Sequence, residues 1–152
     1  MSELSWNALK QLVYERARGC CEYCQTSEEN SGQTMQVDHI DPRGGDVLAN
    51  LCLSCWNCNS SKHKATVVTD PETAASVSLF NPRTHVWSEH FVWMDGGTQV
   101  RGLTPIGRAT VMRLKMNRQK QPSPLNKTGP VDVQLPECAA AIAAVRAAQS
   151  VD

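Results

Sequence analysis

The chain has 152 residues and balances 15 Lys and Arg against 15 Asp and Glu, a net charge of zero that argues against a nucleic-acid coat protein. Only two Phe and two Tyr are present, so one small core is expected, of the kind that often needs a metal staple. No stretch reaches bilayer-spanning length, and the opening Met-Ser-Glu-Leu-Ser-Trp lacks the basic and apolar regions of a secretion signal. The expectation is a cytoplasmic protein in a reducing compartment, where paired Cys-x-x-Cys motifs hold metal more often than they form disulfides.

Residues 4–18 read as a helix: Trp6, Leu9, Val13 and Ala17 recur at helical spacing, Lys10, Glu15 and Arg16 fall toward solvent, and Gly19 ends the pattern. Ser27 to Gln33 is polar and turn-like. Thr34 to Ile40 is a short strand ending at Asp38-His39, and Asp41-Pro42-Arg43-Gly44-Gly45-Asp46 is a loop. Leu48 to Leu53 reads as a second strand and Asn57 to Lys64 as one or two helical turns. Asp70-Pro71-Glu72-Thr73 opens a helix or a turn. His85 to Met94 alternates, setting Trp87, Glu89, Phe91 and Trp93 on one strand face as a packing platform, with His85 and His90 structural. Asp95-Gly96-Gly97 turns the chain, and Thr98 to Leu103 returns as the partner strand. Thr104-Pro105 is an N-cap and first-turn pair for a helix with Ile106, Ala109, Thr110 and Leu114 inward and Arg108, Lys115 and Arg118 outward. From Gln121 onward, prolines punctuate a polar linker that leads to an alanine-rich helix over Glu137 to Gln149.

The charge is unevenly placed. Residues 1–95 carry twelve acids against seven Lys and Arg, whereas residues 96–131 carry seven Lys and Arg and no acid. That second block suits a surface that meets phosphates.

Cys21-Glu-Tyr-Cys24 and Cys55-Trp-Asn-Cys58 can supply four thiolates to one structural zinc. Cys52-Leu-Ser-Cys55 is a competing register. The choice of Cys55 and Cys58 rests on Cys52 lying between Leu51 and Leu53 in a buried strand, and Cys20, Cys52 and Cys138 read as small hydrophobes. Thirty residues separate Cys24 from Cys55, room for a functional insert that contains Asp38, His39 and Asn50.

Cys21-x-x-Cys24, Val37-Asp38-His39-Ile40-Asp41-Pro42, Gly44-Gly45, Asn50-Leu51 and Cys55-x-x-Cys58-Asn59-x-x-Lys62 together resemble the HNH endonucleases and their ββα-metal finger. The later Trp87-x-Glu89-His90-Phe91-x-Trp93 and Gly102-Leu103-Thr104-Pro105 look like the continuation in small stand-alone bacterial members. The resemblance implies an α+β zinc-stapled nuclease domain over residues 1–118, with its core at 15–64 and a hairpin-helix extension at 79–118, followed by a 119–152 linker and tail. It further implies His39 as general base, Asp38 and Asn59 as ligands of a catalytic divalent ion, and Asn50 as the residue that orients the finger loop and the base. Two hard oxygen ligands favour Mg2+ or Mn2+. His63, four residues beyond Asn59, is a rival ligand, and Lys62, Lys64, Arg108, Lys115 and Arg118 are the expected phosphate contacts. The expected activity is hydrolysis of DNA, with RNA left open, one strand per active site; homodimerisation would allow a double-strand break. The alternative is a non-catalytic zinc-stabilised nucleic-acid-binding module.

Overall fold

A computed structural model describes residues 4–117. The Pro-rich linker, the alanine-rich segment, Arg118 and Cys138 lie outside the described residues. The fold is α+β, with a four-cysteine cluster, an N-terminal helix and a C-terminal hairpin plus helix.

Helix α1 (Trp6–Ala17) begins where the Ser5 side chain accepts from Ala8 N at 3.1 Å and stops at Arg18, whose φ of 53° turns the chain out of the helix. Its buried face is Leu9, Val13 and Ala17, three of the four residues at the expected spacing, whereas Trp6 stays exposed. Arg16 departs from expectation. Rather than facing solvent, it donates to the carbonyls of Leu48 at 3.0 Å and Leu51 at 2.5 Å, tying α1 to the next strand pair.

After the first Cys-x-x-Cys comes a single helical turn, α2 (Glu28–Ser31). Strands β1 (Gln36–His39) and β2 (Leu51–Ser54) then pair antiparallel, with Asp38 opposite Cys52 and His39 opposite Leu51. The second strand starts later than the hydrophobic run suggests, because Leu48–Asn50 forms a 3-10 turn that brings the Asn50 side chain back over the loop. Helix α3 (Trp56–Lys62) follows at once, its N-cap being Cys55, whose Sγ accepts from Cys58 N at 3.4 Å.

Strands β3 (Val67–Thr69) and β4 (Ser76–Ser78) form a hairpin that was not expected. Asp70 shapes its turn, accepting from Glu72 N at 3.2 Å and Thr73 Oγ1 at 2.6 Å. Trp87 to His90 is a helical turn, α4 (Trp87–His90), and not the start of a strand. Trp87 and Phe91 are four residues apart, so a helical turn buries both and leaves Glu89 exposed, where an alternating strand would have kept all three together. Strand β5 (Phe91–Met94) pairs with β6 (Gln99–Gly102), and α5 (Pro105–Arg113) is capped by Thr104 as predicted. A side chain at Gly107 would place its Cβ 2.0 Å from the carbonyl oxygen of His90, so glycine alone lets α5 lie this close to α4.

Val13, Leu51, Leu53 and Leu114 are fully buried, each contributing roughly 1.5–3 kcal/mol. Trp87 stacks at 5.6 Å on Trp93, and their indoles donate to Tyr23 O at 2.7 Å and Gln25 Oε1 at 3.1 Å. The aromatics thus pack the hairpin onto the first cysteine pair. Glu22, in that pair, forms a buried ion pair with Arg83 and accepts from Leu53 N at 2.7 Å.

Candidate functional site

The sulfurs of Cys21, Cys24, Cys55 and Cys58 lie within 4.8 Å of one another. Four bonds of about 2.3 Å on tetrahedral angles separate sulfurs by roughly 3.8 Å, and the Cys24–Cys55 sulfurs are 3.7 Å apart. Backbone N–H groups of Cys24 and Cys58 point at Cys21 Sγ and Cys55 Sγ at 3.5 and 3.4 Å, donors suited to thiolate charge. The cluster is compatible with zinc. Cys52 stays out of it: its thiol sits 3.6 Å from Tyr23 Oη, and burial pushes its pKa up to about 12. Cys20 is buried and also lies outside the tetrad.

Between the cysteine pairs, β1 delivers Asp38 and His39 to opposite sides of the finger, as adjacent strand residues must be. Asp38 faces α3 and His39 faces α1. The imidazole stacks flat on Trp6, with centroids 5.7 Å apart and planes 1° from parallel. Its Nε2 lies 2.6 Å from Asp46 Oδ1. A carboxylate can only accept, so Nε2 is the nitrogen that donates to Asp46, and Nδ1 is the ring's other nitrogen. Neither Trp6 nor Asp46 was singled out from sequence. Asp46 carried a signal, since it closes the Gly44-Gly45 loop seven residues after His39, but Trp6 reads only as part of a helix face.

Asn50 makes three hydrogen bonds into that loop. Its Oδ1 accepts from Asp41 N at 2.9 Å, and its Nδ2 donates to Asp41 O at 2.9 Å and Gly45 O at 3.0 Å. A Cβ on Gly44 would fall 2.6 Å from this amide, so the loop is packed directly against it.

On the other side of β1, Asn59 Nδ2 donates to Gln36 Oε1. Three residues along α3, Lys62 Nζ lies 3.0 Å from Asp38 Oδ2 and donates to His39 O at 2.9 Å. Residues 36 and 38 share a strand face and residues 59 and 62 share a helix face, so Asn59 and Asp38 lie on facing surfaces of β1 and α3. Burial raises the Asp38 carboxyl above its ordinary value, and the Lys62 ammonium opposes that shift. Asp38 Oδ2 is buried, and the Lys62 ammonium 3.0 Å away is its counter-charge. The donor set of carboxylate and amide oxygens suits a hard divalent ion.

Two expected phosphate contacts are corrected. Lys62 is 1 % exposed and committed to Asp38, so it is an internal charge and not a surface one. Arg108 donates to both oxygens of Asp70, at 3.0 and 2.8 Å, and also contacts Glu72, which absorbs its charge. Lys64, Lys115 and His63 are exposed. His85 and His90 pack beside Phe80, His85 Nδ1 accepting from Asn81 N at 3.0 Å and His90 Nδ1 meeting Thr104 Oγ1 at 2.6 Å.

A β-β-α unit is thus closed by two cysteine pairs that could hold one metal ion, with an Asp-His corner at the end of its first strand. Residues 21–65 match the family model of the HNH endonucleases, and this segment contains all four sulfurs, both strands and α3. Comparisons with curated proteins and with solved structures return no match. The matched segment supports a nuclease-type function, with nucleic acid as the substrate that family implies. Among the described residues no helix is long and apolar enough to cross a membrane.

Proposed function

We propose that the protein is a metal-dependent endonuclease that hydrolyses phosphodiester bonds in DNA, one strand per active site, with His39 as general base. The observation that carries this reading is the pair His39–Asp46. Asp46 fixes the proton on Nε2, and the ring, 34 % exposed, keeps Nδ1 free to take a proton from water. Trp6 holds the plane of the imidazole, and Asn50 holds the loop that presents Asp46. Asp38 and Asn59 would hold Mg2+ or Mn2+, in addition to the zinc of the thiolate tetrad. When bound, the divalent ion supplies positive charge to the phosphorane and to the leaving 3′-oxygen.

One observation favours a second reading, a binding module that does not cut: Lys62 already neutralises the carboxylate intended for the ion. A binder, however, has no use for an imidazole oriented by a carboxylate. Supercoiled plasmid incubated with Mg2+ or Mn2+ separates the two. A nuclease with one active site converts it to open circles before linear product appears. Retarded but uncut plasmid selects the binder.

A further inference from the structure

Behind the finger lies a cleft of about 770 Å³ between α3, β3 and α5. Trp56, Ser60 and His63 line it from the α3 side, Val67 from β3, and Met112, Arg113 and Lys115 from α5. Trp56 is 55 % exposed, an unusual state for an indole beside two other exposed apolar side chains, Val67 and Met112. The charged residues in the lining are Arg113 and Lys115, and no Asp or Glu is among the lining residues. The walls are tied together: Asn57 Nδ2 donates to Leu114 O at 3.0 Å, and Arg113 donates to Lys62 O at 3.4 Å. The cleft also adjoins the site described above. Trp56 precedes Asn59 by three residues on the same helix, and His63 N donates to Asn59 O at 3.3 Å.

We infer that this cleft binds an unpaired segment of the nucleic-acid strand next to the scissile phosphate, with a base stacked on Trp56 and phosphates met by Arg113 and Lys115. The inference deepens the nuclease reading and takes its substrate polarity from it. An exposed indole face can accept a base only once that base has left its duplex neighbours, so the geometry points to single-stranded or frayed substrate. Exposed cations with no acid among the lining residues complement the phosphates.

The test measures binding, by fluorescence anisotropy, of a labelled single strand of about 12 nucleotides and of the matching duplex. The protein is the full-length, zinc-loaded His39→Ala variant, which is not expected to cut. Adding Trp56→Ala should weaken single-strand binding about tenfold, while Trp56→Phe stays within about threefold and duplex binding changes by less than about threefold. Lys115→Gln should lower the slope of log affinity against log salt by about 1. Unchanged single-strand affinity in Trp56→Ala overturns the inference, as does an equal loss for strand and duplex. Plasmid nicking by the wild type is read separately, so failure of the cleft and failure of the nuclease reading give different results.

Discussion

Lys62 Nζ sits between the Asp38 carboxylate, 3.0 Å away, and the His39 carbonyl, 2.9 Å away, so one buried ammonium holds both members of the Asp-His corner. The side chains of Lys62 and Asp38 are 1 % and 13 % exposed, and neither charge could be left without the other cheaply. Lys62→Met should therefore cost about 3 kcal/mol in urea unfolding. A surface phosphate contact would change stability by less than about 0.5 kcal/mol, and a loss that small contradicts the internal role.

The thiolate register has a paired test. Cys58→Ala should lose zinc by metal analysis and fail to give a cooperative melt, because the metal-binding free energy is part of the folding free energy. Cys52→Ala should keep one zinc per chain and melt only slightly lower. The reverse pattern would shift the register by three residues.

At Gly44 the available space is filled by the Asn50 amide, which cannot swing away without breaking its three bonds to Asp41 and Gly45. Gly44→Ala should destabilise the protein by about 1–3 kcal/mol and reduce nicking by more than stability alone explains. Full activity in that variant would show that the loop does not position Asp46 and His39.

Asp70 gives a signed pH effect. Hydrogen bonds from Arg108 hold its carboxyl well below the ordinary carboxylate range. A depressed folded pKa stabilises in full above the unfolded value of about 3.9 and is lost as pH falls from there through the folded value. The stability gap between wild type and Asp70→Asn should be constant from about pH 7 to pH 5 and close below about pH 4. A gap that widens on acidification would contradict this.

What could be read from the sequence were features set by local spacing. The α1 face, the Thr104 cap, the strand ending at Asp38-His39 and the choice of Cys58 over Cys52 all follow from neighbours within a few residues. Contacts between distant residues were hidden. Lysine reads as a surface residue, and only the β1–α3 packing reveals that Lys62 lies under Asp38. Arg108 looked outward-facing because Asp70, 38 residues away, cannot be paired with it by spacing. The β3–β4 hairpin has three-residue strands, too short for a clear alternation. The turn at Trp87 was misread because residues 87 and 91 share a face at both strand and helix spacing.

The most direct test of the account is plasmid nicking by the His39→Ala variant beside wild type, with Mn2+ supplied and zinc content and melting temperature checked in the same preparations. The account predicts a fall of at least about a hundredfold in nicking rate with zinc content unchanged and the fold intact. Nicking at the wild-type rate by a folded, zinc-loaded His39→Ala protein would contradict it.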